Sequence, residues 1–227
     1  MKAAFFDVDG TLTTTRVWEG LMEYFRQRDL RRWTNRIFWY YHMPLYFLRK
    51  LGLISEGAFR SPWAAHLAWY VRGYTRPQAG QVWDWVVTQY LSERWRSDSR
   101  ELLDQHRQAG DLVVLVSGGP VPLLRRIAGE LGISHVVGTR FEFRDGHYTG
   151  RSLKPICIDE NKASLTQSYL REHDLRVDFG VSYAYADSIS DLFLLEMVAH
   201  PVATYPDDRL RAVAQERGWQ IFPRAEL

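Results

Sequence analysis

The chain has 227 residues, enough for one large domain or for a core with a smaller second domain. Its composition, 46% hydrophobic and 25% charged, excludes a disordered or fibrous protein, and its net charge of +2 does not favour a nucleic-acid partner. A single cysteine excludes a disulfide framework and a cysteine zinc site, and the seven histidines form no zinc-binding pair.

The first predicted element is a strand over residues 3–6, which ends at Asp7. The apolar stretch before Asp7 is too short for the core of a signal peptide. The longest mostly apolar run, residues 37–48, is also shorter than the roughly 20 residues that a membrane-spanning helix needs. We therefore expect a cytoplasmic location.

Residues 15–97 are predicted to form an all-helical block, which contains eight of the nine tryptophans. Ser61 followed by Pro62 predicts the start of a helix, and Gly73 predicts its end. Thr75, two residues before a proline, predicts the start of the next helix. Because this block follows the first strand directly, we interpret it as an insertion.

After residue 97 the pattern alternates between helices and strands. Asp98 and Glu101 are predicted to form a capping box for a helix that ends at Gly110. The predicted elements after this helix are strand 112–116, helix 121–131, strand 135–139, hairpin 141–150 around Asp145-Gly146, helix 160–173, strand 181–186, helix 191–198, strand 201–205, helix 207–217 and the apolar run 219–222. This alternation predicts an α/β fold with a doubly wound, Rossmann-like parallel sheet. Residues 1–14 and 98–227 would form the α/β core domain, and residues 15–97 the helical domain inserted into it.

Polar residues follow three of the predicted strands. Asp7 and Asp9 follow the first, Ser117-Gly118-Gly119 follows the strand at 112–116, and Asp187 and Asp191 follow the strand at 181–186. Lys162 lies near the start of the preceding helix. Because ligands of open α/β sheets bind beyond the carboxyl ends of the strands, we expect these groups to converge.

The chemistry that this combination suits is phosphoryl transfer. Several carboxylates in one pocket repel one another unless a cation neutralises them, and carboxylate oxygens suit Mg²⁺. One carboxylate in line with phosphorus can form an aspartyl-phosphate, while a second protonates the leaving alkoxide and then activates water. A hydroxyl, a lysine and free backbone N–H groups would bind the equatorial oxygens.

Four ordered motifs resemble those of the haloacid dehalogenase (HAD) superfamily: Asp7-x-Asp9-Gly-Thr-Leu-Thr13, Ser117, Lys162 and Asp187-x-x-x-Asp191. The helical block resembles the cap domain of subfamily I. The hairpin 141–150 and the segment Asp159-Glu-Asn-Lys162 are similar to the phosphoserine-phosphatase-like branch, subfamily IB.

The resemblance implies a role for each matching residue. Asp7 would be the nucleophile and Asp9 the general acid and base, and in this superfamily the second aspartate marks phosphatases and phosphomutases. Ser117, the Gly118 amide and Lys162 would bind phosphate, and Asp7, the Asp9 carbonyl and Asp187 would hold Mg²⁺, supported by Asp191.

Three positions depart from the pattern of the family. Ala186 occupies a position that is usually glycine, and Ser190 replaces an asparagine that helps to hold phosphate in phosphoserine phosphatases. Arg16 stands where those enzymes have a glutamate for the substrate ammonium group. An arginine would repel that group, so Arg16 predicts a substrate with a second anionic group rather than phosphoserine.

Residues 20–51 combine seven arginines and lysines with only two acidic residues, and aromatic residues are interleaved among them. One interpretation is the aromatic core of a small helical domain with a solvated basic face; we favour it because a small domain needs large side chains to fill its core. The other is an interfacial segment that makes peripheral contact with an anionic membrane and gives access to an amphiphilic phosphate. A nucleic-acid partner is not expected, because no recognition module accompanies the basic residues.

The predicted function is that of a Mg²⁺-dependent phosphomonoester phosphatase acting through an aspartyl-phosphate on a small or amphiphilic phosphorylated metabolite. Two alternatives stay open. One is a phosphotransferase or phosphomutase that uses the same intermediate, and the other is a non-catalytic, membrane-associated protein that keeps the fold. The sequence predicts neither the natural substrate nor the oligomeric state.

Overall fold

The computed structural model describes residues 1–223 and contains one seven-stranded sheet. The strands are β1 (Ala3–Phe6), β2 (Leu112–Pro120), β3 (His135–Arg144), β4 (His147–Leu153), β5 (Tyr183–Ala186), β6 (His200–Thr204) and β7 (Gln220–Phe222). Their order across the sheet is β4-β3-β2-β1-β5-β6-β7, and every neighbouring pair is parallel except β3 and β4. The predicted doubly wound, Rossmann-like sheet is therefore confirmed.

Strand β1 occupies the centre of the sheet, and its four residues are fully buried. It pairs with β2 on one side and β5 on the other, so that Phe6 is in register with both Leu115 and Tyr185. The chain thus winds away from β1 in both directions. Such a switch point brings the carboxyl ends of β1, β2 and β5 together at one edge of the sheet.

Helices surround the sheet and fill the chain between β1 and β2. They are α1 (Val17–Gln27), α2 (Arg32–Lys50), α3 (Glu56–His66), α4 (Arg76–Trp85), α5 (Ser97–Gln108), α6 (Val121–Glu130), α7 (Glu160–Glu172), α8 (Leu192–Leu195) and α9 (Asp208–Arg217). A 3₁₀ helix at Leu67–Val71 and a π-helix at Val86–Tyr90 lie among them. The helical insertion, residues 15–97, contributes α1 to α4.

The helical insertion shares one hydrophobic cluster with the sheet. Phe6 and Leu115 of the sheet belong to the same cluster of buried side chains as Leu21 of α1, Phe38 of α2 and Trp83 of α4. Burial of apolar area therefore fixes the insertion against the sheet as well as folding the insertion itself. The division into two domains stays a prediction.

The base of the insertion is also tied to the edge strand β4 by hydrogen bonds. The Gly73 N–H donates to the Tyr148 carbonyl, and the Tyr148 N–H donates to the Tyr74 carbonyl, both at 2.8 Å. The Ser152 hydroxyl donates to the carbonyl of Ala65, near the end of α3, at 2.7 Å. The outer edge of the sheet is thereby covered by the insertion.

Two predicted helix starts are wrong. Helix α3 begins at Glu56 rather than after Ser61, because the Ser55 hydroxyl accepts the Ala58 N–H at 3.2 Å and caps the helix earlier. Pro62 consequently lies inside α3, where it removes one helical hydrogen bond.

The second wrong start is the capping box at Asp98. Helix α5 begins at Ser97, two residues before the start that an Asp98 cap would give, and its first turn contains Asp98. The Asp98 carboxylate accepts the Ser99 N–H and the hydroxyl of Tyr205 from beyond β6, so it is engaged outside a capping box. By contrast, the predicted helix start at Thr75 is confirmed, and the structure adds that Thr75 forms a capping box with Gln78. The predicted hairpin turn at Asp145-Gly146, whose two residues both have positive φ, is confirmed as well.

The basic aromatic segment, residues 20–51, divides into two sets of side chains. Phe38 and His42 of α2 are fully buried, as the core interpretation expects, whereas Trp33, Tyr40 and Phe47 of the same helix are exposed. Among residues 1–223, no helix combines the length and the apolarity needed to cross a membrane.

The buried histidine of α2 predicts a loss of stability in acid. The His42 Nε2 lies 3.1 Å from the His66 Nδ1, and burial together with His66 lowers the pKa of His42 to about 4. Between about pH 6.5 and pH 4 the unfolded chain therefore binds a proton that folded His42 does not, so stability falls as the pH falls. We expect the melting temperature of a His42→Phe variant to depend less on pH in this range.

The matched control is His147→Phe, which changes an exposed histidine in the β3–β4 hairpin. Melting temperatures of the three proteins would be recorded by differential scanning fluorimetry at a series of pH values. Equal slopes for the wild type and His42→Phe would contradict the prediction.

Candidate active site

The three strand ends bring most of the predicted site residues together, as expected. Asp7 follows β1 and Asp187 follows β5, while Ser117 and Gly118 belong to the last residues of the extended strand β2 rather than to a loop after it. The β2–β3 register shifts between Val116 and Pro120, which marks the irregular end of this strand. These residues, with Asp9, Arg16, Lys162 and Asp191, line one cavity of about 560 Å³.

Lys162 lies between two buried aspartates, Asp7 and Asp191, and we call the part of the cavity formed by these polar side chains its floor. Its ammonium group donates to the Asp7 Oδ1 at 2.7 Å and forms an ion pair with Asp191. Burial opposes the charge on Lys162, but Asp191 and Asp7 outweigh it and raise the pKa of this lysine. The second carboxylate oxygen of Asp7 accepts the Thr11 hydroxyl at 3.3 Å.

The three clustered carboxylates, those of Asp7, Asp187 and Asp191, outnumber the one ammonium group, that of Lys162. Burial, with Asp7 and Asp191 nearby, raises the pKa of Asp187 to about 8. Burial and Asp7 likewise raise the pKa of Asp191 to about 6, although Lys162 opposes the shift. The floor of the cavity therefore stabilises an added positive charge.

Three of the predicted metal ligands lie close enough to share an ion. Asp7, Asp187 and Asp191 each offer a carboxylate oxygen, and these atoms lie within 4.8 Å of one another. A set of hard anionic oxygens fits Mg²⁺. The carboxylate of Asp9 is outside this group, so Asp9 would reach the same ion through its main-chain carbonyl, as the family resemblance implies.

The Asp9 carboxylate accepts a hydrogen bond from the first helix of the insertion. Its Oδ1 accepts the N–H of Val17, the first residue of α1, at 2.8 Å. Burial and the neighbouring Asp7 raise the pKa of Asp9 to about 7, against the lowering effects of Val17 and Arg16. A carboxyl group with this pKa carries a proton for part of the time near neutral pH.

The end of β2 supplies a hydroxyl group and closely packed backbone. The buried Ser117 hydroxyl accepts the Gly119 N–H at 3.1 Å, and the Gly118 carbonyl accepts the Thr139 hydroxyl at 2.8 Å. A Cβ at Gly118 would lie 2.6 Å from the Ile158 side chain. A larger residue here would therefore have to displace the end of the Ile158 side chain, whereas the nearest backbone atom, the Cys157 carbonyl oxygen, lies 3.5 Å away.

The helical insertion gives the cavity an apolar wall opposite these polar groups. Its side chains are Trp18, Trp39, Met43, Tyr46, Phe59 and Trp63. Arg16 also lines the cavity, and its charge partly offsets the rise in the pKa values of Asp9 and Asp187. The cavity thus joins an anionic floor to an aromatic wall.

Sequence reasoning missed Arg60 of α3, which reaches the floor of the cavity. Its guanidinium donates to the Ser190 hydroxyl at 2.7 Å and to the Glu56 carboxylate at 2.8 Å. Arg60 therefore contacts Ser190, the position at which the resemblance to phosphoserine phosphatases implies an asparagine. The one signal in the sequence was the spacing of Glu56 and Arg60, four residues apart, which is typical of an ion pair on one helix face.

The close approach of Gly10 to Asp187 leads to a prediction about Mg²⁺ binding. Gly10 has φ +87°, and a Cβ there would lie 2.0 Å from the Asp187 Oδ2. We expect Gly10→Ala to displace the Asp187 carboxylate and to weaken Mg²⁺ binding about tenfold or more. Titration calorimetry would measure the affinity.

The control for Gly10→Ala is Gly146→Ala in the hairpin turn. Gly146 has a similar φ of +79°, but no atom lies within 4 Å of its ideal Cβ. This variant carries the same kind of backbone strain without the collision, so it should bind Mg²⁺ as the wild type does. If both variants bound Mg²⁺ equally well, the close approach to Asp187 would be of no consequence for the ion.

Known proteins resemble the chain over two thirds or more of its length. The family model for haloacid dehalogenase-like hydrolases matches residues 4–196. Phosphoserine phosphatase SerB1 of Mycobacterium tuberculosis (strain H37Rv) is 31% identical over 225 residues, covering 96% of this chain and 70% of that protein. Histidinol-phosphatase of Neisseria meningitidis serogroup C is 30% identical over 159 residues, covering 69% of this chain and 71% of that protein.

Solved structures share the fold. A protein of unknown function from Bordetella pertussis Tohama I superimposes with a TM-score of 0.81 at 25% identity, over 97% of this chain and 98% of its own. A substrate-bound phosphoserine phosphatase superimposes with a TM-score of 0.60 at 14% identity, over 93% of this chain and 89% of its own. Together with the family model, the relatives confirm the resemblance carried by the four motifs: the chain is a phosphatase-type member of the haloacid dehalogenase-like hydrolase family.

Proposed function

We propose that the chain is a Mg²⁺-dependent phosphomonoester phosphatase that acts through an aspartyl-phosphate on an amphiphilic phosphorylated metabolite. The observation that carries the proposal is the position of Asp7. Its carboxylate is buried at the floor of the cavity, fixed by Lys162 and Thr11, where it faces any phosphate that enters. A nucleophile held in one orientation loses little entropy on reaching the transition state.

In the first step an Asp7 oxygen attacks phosphorus, and the bond from phosphorus to the leaving oxygen breaks. Asp9 gives its proton to that oxygen, for which its pKa of about 7 suits it. In the second step the Asp9 carboxylate takes a proton from water, whose oxygen attacks phosphorus and releases Asp7 and inorganic phosphate. Ser117, the Gly118 amide and Lys162 bind the phosphate oxygens throughout.

Mg²⁺, held by Asp7, the Asp9 carbonyl and Asp187 with Asp191 in support, would neutralise the charge of the phosphate group. The raised pKa values of Asp187 and Asp191 favour this assignment, because a bound cation would offset both their burial and the repulsion from Asp7 that raise them.

The shape and charge of the cavity favour a substrate with two further features. The aromatic side chains opposite Asp7, such as Trp39 and Trp63, favour an apolar group on the leaving alcohol. Arg16 lies close to Asp9 and Asp187 and favours a second anionic group near the phosphate. Phosphoserine has only the second of these features, and its ammonium group would be repelled by Arg16.

Two alternatives differ from hydrolysis in the fate of the bound substrate. A phosphotransferase or phosphomutase would pass the phosphate to an alcohol instead of water. A non-catalytic binding protein would have no need for the buried ion pair of Lys162 with Asp7, since burying these charges costs several kcal/mol per ion before pairing. The ion pair therefore favours catalysis over binding alone.

A panel of phosphomonoesters tests the proposal. Phosphate release would be measured with Mg²⁺ and with EDTA for phosphoserine, histidinol phosphate, sugar phosphates and lysophosphatidate. We expect Mg²⁺-dependent release that is faster for lysophosphatidate, which has the apolar group but no second anion, than for phosphoserine, and that falls about a thousandfold or more in Asp7→Asn, which removes the nucleophile.

The same panel separates the alternatives. Transfer to added glycerol at the expense of free phosphate would identify a phosphotransferase. No release from any substrate by folded, Mg²⁺-bound protein would contradict the proposal. In an Arg16→Glu variant, the preference for substrates with a second anionic group should be reduced.

The role proposed for Asp9 predicts a dependence on the leaving group. A p-nitrophenolate ion leaves without a proton, whereas an alkoxide needs one. We expect Asp9→Asn to keep a stoichiometric burst of p-nitrophenolate in rapid mixing, while the first turnover of an alkyl phosphate slows about a hundredfold or more. Equal slowing of both first turnovers would show that Asp9 is not the acid.

The last part of the proposal concerns where in the cell the protein acts. We place it in the cytoplasm, with peripheral contact to the membrane through the basic aromatic residues 20–51. The exposure of Trp33, Tyr40 and Phe47 favours this contact, because buried aromatic side chains could not make it.

A further inference from the structure

Helix α2 presents an apolar stripe to solvent. The stripe consists of Trp33, Ile37, Tyr40, Phe47, Leu48 and Leu51, whose side chains are between 37% and 86% exposed. Phe47 and Leu48 are adjacent, and the other successive members are spaced by three, four or seven residues. The stripe therefore lies on one face of the helix over about 27 Å. Leu53, in the turn after α2, extends the stripe and is equally exposed.

This arrangement is the reverse of an ordinary surface helix, which turns its apolar stripe toward the core. Helix α2 already has a core face, because Phe38 and His42 are fully buried against Trp63 and the rest of the insertion. The apolar stripe is a second apolar face, and no segment among residues 1–223 covers it. A contiguous apolar patch of this length on a protein surface marks an interaction site.

The charges beside the apolar stripe indicate what binds there. Helix α2 contains four basic residues and no acidic residue. Arg36 lies over the Trp33 ring at 5.1 Å, and Lys50 is exposed next to Leu51. Aromatic and aliphatic side chains flanked by arginine and lysine suit a membrane surface with anionic headgroups. A second copy of the chain would instead bring like charges together.

The apolar stripe also adjoins the cavity. Trp39 and Met43, on the neighbouring face of α2, line the cavity that contains Asp7, and Trp39 is itself 38% exposed. Helix α2 therefore lies between the solvent that meets the apolar stripe and the polar floor of the site. An amphiphile could pass from one to the other along a continuous apolar surface.

We propose that the apolar stripe docks on an anionic lipid surface, from which a lipid phosphomonoester enters the cavity past Trp39. The docking stands on the surface of α2 alone, whereas the entry of the lipid rests on the proposed phosphatase function. The two parts can therefore be tested separately.

Docking is measured without catalysis, by co-sedimentation of the Asp7→Asn variant with vesicles in EDTA. We expect binding to vesicles of phosphatidylcholine mixed with phosphatidylglycerol, weak binding to phosphatidylcholine alone, and a loss of binding at high salt. Replacing Trp33, Ile37 and Tyr40 together by glutamine should lower the partition coefficient about tenfold or more.

The matched control replaces three apolar residues that are exposed elsewhere, Leu153, Val181 and Phe193, by glutamine. This control variant should bind the vesicles as strongly as its Asp7→Asn parent. A separate variant with Arg36→Gln and Lys50→Gln should lose about fivefold in partition for each charge and keep its weak binding to phosphatidylcholine. Melting temperatures would verify that all the variants are folded.

Absence of binding to anionic vesicles, or an equal loss in the stripe variant and its control, would overturn the docking. A concentration-dependent dimer in light scattering that the stripe variant abolishes, without vesicle binding, would assign the apolar stripe to a second copy and overturn it too.

Entry of the lipid is tested in the active protein. With Asp7 intact, the stripe substitutions should raise the KM for lysophosphatidate in vesicles and leave hydrolysis of soluble p-nitrophenyl phosphate unchanged. An unchanged KM would overturn lipid entry. Failure of the proposed phosphatase function would abolish hydrolysis of both substrates yet leave vesicle binding intact, so the two failures are distinguishable.

Discussion

The ammonium group of Lys162 is the centre on which the rest of the site depends. It lies among aspartates supplied by two different strand ends, Asp7 after β1 and Asp191 after β5, and all three groups are buried. Removing one partner from such a set would leave a buried charge without compensation, at a cost of about 3–5 kcal/mol. The pairing thus fixes the relative position of the first strand, the fifth strand and the start of α7, which the chain places far apart.

The site is completed by contacts that cross from the sheet to the helical insertion. Asp9 accepts the first N–H of α1, and Arg60 of α3 donates to Ser190 in the 3₁₀ turn that follows β5. Both contacts join a polar group of the cavity floor to a helix that supplies the aromatic wall. The arrangement of the floor and the access to it are therefore coupled.

The sequence predicted the α/β fold and the convergence of Asp7, Ser117 and Asp187 because parallel strands place their carboxyl ends at one edge, whereas Lys162, on helix α7, was predicted from the ordered motifs. That rule needs only the order of the strands and the residue after each. The role of each of these residues remains a prediction, since geometry locates a group without showing what it does.

The features that sequence reasoning missed depend on contacts between distant segments. Arg60 meets Ser190 across 130 residues, and no local pattern specifies such a pair. Helix α3 has two serines that could cap its start, Ser55 and Ser61. The structure shows that Ser55 is the cap, because its hydroxyl accepts the Ala58 N–H. Likewise, the apolar residues of α2 recur on two faces of the helix, and periodicity alone could not determine which face would be buried.

The hydrogen bonds between β4 and the base of the insertion have a consequence for motion. Ala65, Gly73 and Tyr74 are tied to an edge strand that is itself part of the sheet, so this end of the insertion moves with the sheet. The opposite end of the α2–α3 hairpin, residues 51–55, is largely exposed. A displacement of the hairpin that kept these hydrogen bonds would turn about β4, break the Arg60–Ser190 contact and carry residues 51–53 furthest. Leu51 and Leu53, two of the exposed leucines at the end of the apolar stripe, would then move most.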